Sequence, residues 1–274
     1  MPFSRTQKRI RRELREQRAL LSLALGRKTL QIKRDNLDRV VFYPEHNIAF
    51  NRIAKSGNSS VILYLDEAIK GPNNHQDDYK QAKRKAMGTG KSLIEMSRSQ
   101  KDRASLAEVS FFTVVRNPWT RTLSAFLDKI ANGPRDKYGF IPGFGDNSQA
   151  GFEAFIAFLG SGGLHANHHW KPQTDALLLP ASQFKNICRL ENLSAELPDA
   201  LAETGLTLPS PEQLQQPHHI ERNQHSKLNR ASNKLQHYYS SATTRAVAKL
   251  YAADFKLGSY SLDPRSIGLN LLSH

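Results

Sequence analysis

Three short stretches of this sequence carry side chains that could do chemistry. Lys55-Ser56-Gly57-Asn58-Ser59-Ser60 sets a lysine against a run of small polar residues, directly before the apolar-periodic VILYLDEAI. Arg116 closes the apolar run SFFTVV and is followed eight residues later by Ser124, with Pro118 between them. The segment HANHHW supplies His165, His168 and His169. The first two stretches share a logic: a basic residue and a hydroxyl stand where an apolar run ends, the combination a bound phosphate or sulfate needs. Backbone N–H groups at the start of a helix have no intrahelical acceptor, so a Gly/Ser/Asn loop at such a junction is a ready anion site. The same loop also reads as a solvent-exposed turn. Histidine adds a group whose unperturbed pKa suits proton transfer near neutral pH.

The elements that must hold these residues follow from periodicity. A short strand is expected at Val40–Tyr43, then NIAFNRIA, KSGNSS and VILYLDEAI read as strand, tight loop and helix. Residues 71–105 are polar, basic and poor in strand signals, and read as a loop or helical insertion. SFFTVV is a continuous apolar run of the kind a strand buried on both faces shows. After it, Pro118 suits a first helical position, and Leu123, Phe126, Leu127 and Ile130 recur at helical spacing. Trp119 reads as core, and Arg121 calls for an acid elsewhere in the chain. Residues 132–150 should be a loop, Phe152–Leu159 a short helix, FKNICRL a third strand, and ENLSAELPDALAETG a helix closed by Gly205. The stretch 207–235 reads as irregular, and Leu235–Phe255 as one last helix. Strands alternating with helices imply an α/β fold, a central parallel sheet flanked by helices on both faces.

Length and charge frame this plan. The 274 residues suit one α/β domain, here 37–274, with an appended segment, 1–36, in which Ile10, Leu14, Leu21 and Leu25 can share one face of a basic amphipathic helix. That helix could pack on its own domain, swap onto a partner subunit in a homo-oligomer, or lie peripherally on an anionic membrane. The net charge of +14 is concentrated. Residues 1–34 carry eleven Lys/Arg against two Glu, and residues 80–103 carry eight against two acids, so the rest of the chain is close to neutral. Nucleic acid, anionic lipid and an acidic polymer would all answer to such charge, which selects no partner by itself. The single cysteine, Cys188, excludes an internal disulfide and favours a reducing compartment; it sits in an apolar run and reads as a buried thiol. The longest apolar run near the N-terminus, Ala19–Leu25, is far short of the roughly 20 residues a membrane span needs, and neither an anchor nor a secretory signal is expected.

With the residues in view, RIAKSGNSSV resembles the 5′-phosphosulfate loop of the sulfotransferases that use 3′-phosphoadenosine 5′-phosphosulfate (PAPS). FFTVVRNPWTRTLSAFLDKI resembles their 3′-phosphate element, with Arg116, Pro118, Trp119, Arg121, Ser124, Ala125 and Phe126 in register. HWKPQ at His169–Gln173, RLENL at Arg189–Leu193 and the closing LYAADFKLGSY extend the likeness over about residues 40–260, closest to the carbohydrate branch that includes the chondroitin and HNK-1 sulfotransferases. The resemblance implies a P-loop-like sulfotransferase fold and transfer of a sulfuryl group from PAPS to a hydroxyl of a carbohydrate or glycolipid acceptor, which the basic 80–103 stretch would favour as anionic. It implies that Lys55 stabilises charge on the bridging oxygen, that Ser56, Gly57, Asn58, Ser59 and Ser60 cradle the 5′-phosphate, and that Arg116 and Ser124 hold the 3′-phosphate. His169 is the first candidate for the base, with His165, His168 and Glu153 as competitors. Ala54, Ser59 and Asn117 stand where Pro, Thr and Asp are common in the family. Lacking the anchor and disulfides of luminal members, the chain looks like a bacterial, cytoplasmic relative.

Two other readings compete. GTGKS at Gly88–Ser92 evokes a P-loop NTPase or kinase, but Lys85 stands where that motif needs its first glycine, and KQAKRKAM replaces the preceding buried strand. A nucleic-acid-binding protein would suit the basic segments, yet no reading element and no interleaved aromatics accompany them, so no nucleic acid is expected. Neither HANHHW nor PHHIERNQH has metal-ligand spacing with acidic partners, and no metal is expected.

Overall fold

The computed structural model describes residues 11–13, 32–72, 79–215 and 234–267. Most of the helix expected over 1–36 lies outside the described residues, as does 216–233 with its PHHIERNQH. Residues just before the sheet are tied to the domain. Lys33 N donates to Leu178 O at 2.9 Å, and the Asn36 amide donates to the carbonyls of Asp175 and Leu177.

Four strands, β1 (Val40–Tyr43), β2 (Ile48–Asn51), β3 (Ser110–Val115) and β4 (Phe184–Arg189), form one sheet in that order. β2–β3 and β3–β4 pair in parallel, the central parallel sheet expected of this α/β chain. β1 departs from that pattern and pairs antiparallel with β2. Only Pro44 to Asn47 separate the two strands, too few for the crossover of about a dozen residues that a parallel pair needs. Asn47, at φ 52°, closes the turn in the left-handed region that Asn tolerates.

β3 shows why its run is apolar throughout. Phe111 and Val115 pack on one face with Phe42, Leu178 and Leu179, while Phe112 and Val114 pack on the other with Phe50, Ile62, Leu65 and Leu197. The second face is covered by α1 (Asn58–Lys70), α2 (Tyr79–Met87) and α5 (Leu193–Leu201). Between α1 and β3 the expected insertion is helical: α2 is followed by short turns at Leu93–Met96 and Gln100–Ser105.

A separate aromatic cluster anchors the helices that carry the second motif. It joins α3 (Pro118–Ala125), α4 (Gln149–Gly160), α6 (Ser241–Leu250) and α7 (Ala252–Leu257) through Trp119, Phe126, Phe152, Phe155, Trp170 and Tyr251. Each such side chain, fully buried, contributes on the order of 1.5–3 kcal/mol, so α3 is held firmly relative to the sheet. α3 runs directly into a π-helical turn at Phe126–Ala131. The single helix expected over Leu235–Phe255 is instead three pieces, Leu235–Tyr238, α6 and α7. Ser240 starts α6 afresh, because its hydroxyl accepts from Thr243 N while Thr243 Oγ1 accepts from Ser240 N.

Candidate active site

The loop after β2 is shaped by two residues in the left-handed region, Lys55 at φ 68° and Gly57 at φ 74°. A lysine in this conformation is strained, and the strain persists only because the surroundings over-determine it. A Cβ at Gly57 would come within 2.7 Å of Leu190 Cδ1, so Leu190 would have to shift, but it is the positive φ that calls for glycine there. Gly57 caps α1 without any side-chain hydrogen bond, and the first intrahelical bond is Val61 N to Gly57 O at 3.1 Å. The N–H groups of Asn58, Ser59 and Ser60 therefore start the helix without intrahelical acceptors, at the positive end of its dipole.

Arg116, just past β3, comes to the same place. Its Nε donates to Thr120 Oγ1 at 2.9 Å and its Nη1 to Lys55 O at 3.3 Å, so it braces the strained loop directly. Burial pushes it down to about 10, against the pull of Glu191, and it stays a cation at neutral pH. Asn117 starts α3 by accepting from Trp119 N at 3.0 Å, with Pro118 in the first turn. Two helical turns beyond Arg116, Ser124 is buried and faces the same space.

That space is a cleft of about 760 Å³ lined by Lys55, Gly57, Asn58, Ser59, Ser60, Arg116, Ser124, His168 and His169, and also by Arg39, Arg52, Lys83, Asp128 and Lys129. Lys55 is 17 % exposed, and its Nζ lies 3.0 Å from Asp128 Oδ2, which Lys129 Nζ also meets at 3.0 Å. Burial lowers the Lys55 pKa and Asp128 opposes that, while Arg116 and Lys129 add to it. Burial would raise the Asp128 carboxyl, but the two lysines outweigh it and hold the group below the usual range.

The histidines divide. His169 lines the cleft, and burial, reinforced by His168 and Lys129, pushes it down to about 3. Its ring is neutral at physiological pH, and its buried Nδ1 has no hydrogen-bond partner. His168 lies beside it, its ring tilted by 39° at 4.2 Å between centroids, and is pushed down to about 4 by burial, then by Arg39. His165 points away from the cleft, 61 % exposed with Nδ1 3.4 Å from Asp175, into an adjoining cavity of about 300 Å³ that shares Arg39, Arg52 and His168.

Two expectations need correction. Glu153 is exposed on α4, accepts from Gln149 Nε2 at 3.2 Å, and does not line the cleft, so it is no base for this site. Ser56 is fully buried, its N–H donates to Ile53 O, and its hydroxyl donates to Gln173 Oε1 at 2.9 Å. Neither its N–H nor its hydroxyl faces the cleft, because the left-handed turn at Lys55 directs them into the protein. Trp119 is core, packed on Phe255 and Tyr239. Arg121 is 1 % exposed; its Nε donates to Ala54 O at 3.0 Å, and the acid it interacts with is Asp254.

Sequence reasoning missed Asp128, Lys129 and the linking role of Gln173. The first two follow Ser124 by four and five residues, a spacing that could have flagged them. The NTPase lookalike is structural: Lys91 exchanges both backbone hydrogen bonds with Phe42, its Nζ bonds Asp102 at 2.8 Å, and Ser92 caps the Leu93–Met96 turn. Burial pushes the Cys188 thiol up to about 12, so it is not a reactive thiolate.

The parallel strands β2 and β3 thus end on one cationic cleft, with a neutral imidazole beside them. The chain belongs to the sulfotransferase family, whose family model matches residues 38–261, and it is a sulfotransferase. No curated protein and no solved structure matches it. PAPS is the donor this family uses. The residues fit such a donor: the N–H groups that start α1, Lys55, Arg116 and Ser124 all stand at this one cleft.

Proposed function

We propose that the enzyme moves the sulfuryl group of PAPS onto a hydroxyl of a carbohydrate or glycoconjugate acceptor, releasing 3′,5′-ADP. The observation that carries this reading is the convergence of the α1 N-terminus with Lys55, and of Arg116 with Ser124, on one cleft. Two separate anchors suit a nucleotide with phosphates at both its 5′ and 3′ positions.

When bound, PAPS supplies an activated sulfuryl group on a phosphosulfate. The chain's own residues do the rest. The N–H groups of Asn58, Ser59 and Ser60 hold the 5′-phosphate. Arg116 and Ser124 hold the 3′-phosphate, which distinguishes this donor from ATP. Lys55 stabilises the negative charge that develops on the bridging oxygen. His169, neutral and lining the cleft, accepts the proton of the acceptor hydroxyl. Arg39, Arg52 and the adjoining cavity beyond His168 offer the acceptor a cationic approach, which suits an anionic sugar or a lipid-linked glycan. Among the described residues no helix is long and apolar enough to cross a membrane. The reading is completed by a bacterial, cytoplasmic setting in which the basic N-terminal segment meets the membrane surface peripherally.

The test is isothermal titration with 3′,5′-ADP, using 5′-AMP and ATP as controls. Micromolar binding of 3′,5′-ADP that is lost in Arg116→Ala and Ser124→Ala is expected. No binding by a folded sample would overturn the donor assignment.

A further inference from the structure

The cleft is built for anions, yet among the described residues that line it stands one carboxylate, Asp128. A negative charge there works against binding an anion, so its effect must lie in what it touches. It touches two ammonium groups, Lys55 and Lys129, each 3.0 Å from the same Oδ2. Asp128, four residues past Ser124, shares its face of the helix, and the wider i→i+5 winding of the π turn Phe126–Ala131 brings Lys129, five residues past, to the cleft as well. Asn132 fastens the end of the turn by donating to Leu127 O at 2.7 Å.

Resting on the donor assignment above, we propose that Asp128 is a positioning residue for Lys55. It holds the Lys55 ammonium charged and aimed into the cleft, and Lys129 keeps Asp128 compensated when Lys55 turns to the donor. Lys55 is thereby held at both ends: its backbone by the Arg116 bond to Lys55 O, and its Nζ by Asp128. The titratable groups facing Lys55 come from three elements, namely Asp128 and Lys129 on the π turn, Arg116 after β3, and the neutral His169 before Gln173. Of these only Asp128 favours the ammonium form. Burial, Arg116 and Lys129 all work against it. Without Asp128, Lys55 would lose its proton at lower pH and with it the charge its role needs.

The experiment follows Lys55 directly, by NMR titration of its Cε in full-length protein labelled with ¹³C-lysine, alongside kcat and the Kd for 3′,5′-ADP. Asp128→Asn should lower the Lys55 midpoint by at least about one pH unit. The alkaline limb of kcat should fall by a like amount, and kcat by about tenfold or more, with the nucleotide Kd unchanged or tighter. Asp128→Glu, which keeps the charge, should recover most of the midpoint and of kcat, and serves if the amide variant folds poorly. A Lys55 midpoint unmoved by Asp128→Asn would overturn the proposal, as would kcat and nucleotide affinity weakening in parallel. Failure of the donor assignment shows separately, as a wild-type protein that binds no 3′,5′-ADP.

Discussion

Gln173 grips the backbone of Arg116 as a neighbouring strand would: its Oε1 accepts from Arg116 N at 2.9 Å and its Nε2 donates to Arg116 O at 2.8 Å. The same Oε1 accepts from the Ser56 hydroxyl, so one buried amide sets the spacing between the loop after β2 and the end of β3. Gln173 is in turn fixed through its own N–H, which donates to Asp254 Oδ2 at 2.7 Å. The two anchors of the cleft are therefore spaced by a chain of polar contacts running from α7 through Gln173.

Gln173→Leu should destabilise the fold and loosen the cleft together. Each buried polar group left unpaired costs about 1–3 kcal/mol, and the substitution strands the Ser56 hydroxyl and both backbone groups of Arg116. Calorimetry should show a lower Tm, and titration a weaker grip on 3′,5′-ADP. A normal Tm with normal binding would mean that water replaces the amide at no cost.

Lys55→Ala and Arg116→Ala should separate turnover from binding. Removing a preorganised group aimed at developing charge typically costs about 10²–10³ in kcat, and Lys55→Ala is expected in that range or beyond. Losing a charge-assisted hydrogen bond costs about 1.5–3 kcal/mol, so Arg116→Ala should raise the Kd for 3′,5′-ADP about 10- to 150-fold. Equal, small effects from both would undo the site assignment.

The pH dependence should carry the signature of His169. Its folded pKa, about 3, lies below the ordinary histidine value near 6.5, so between these limits the unfolded chain binds the extra proton. His169 therefore contributes stability that is present above pH 6.5 and is lost as pH falls toward 3. Denaturation measured at pH 7 and pH 5 should show wild type losing more stability on acidification than His169→Gln. The same variant should lose about 10²–10⁴ in kcat, as expected for a general base. An acid limb of kcat/KM near 6.5 in wild type would contradict a buried, neutral His169.

Arg121 and Asp254 should behave as one buried unit. Arg121 is 1 % exposed and Asp254 0 %, and Asp254 also accepts from the backbone of Gln173 and Thr174. Arg121→Met removes the charge that favours the Asp254 carboxylate and leaves Ala54 O without its donor, and should cost about 1–3 kcal/mol. Urea denaturation should reveal the loss, and adding Asp254→Asn should restore part of it. Additive losses in the double variant would show that the two residues are not coupled.

Features that depend on local order along the chain are legible in the residues alone. The run SFFTVV reads as a strand covered on both faces, Gly57 and Pro118 mark where helices begin, and the spacing from Arg116 to Ser124 lets both meet beside one helix start. Tertiary structure decided which way side chains turn once the chain leaves those regular elements. Ser56 sits inside a phosphate-loop pattern, yet the left-handed turn at Lys55 aims it at Gln173, 117 residues away. Asp128 lies four residues past Ser124 and so on its face, but only the packing of α3 against the loop after β2 brings it onto Lys55, 73 residues earlier. Glu153 had the chemistry of a base but not the direction. Residue type and period are local properties, whereas the partner of a buried polar group is chosen by the packing of elements distant in sequence.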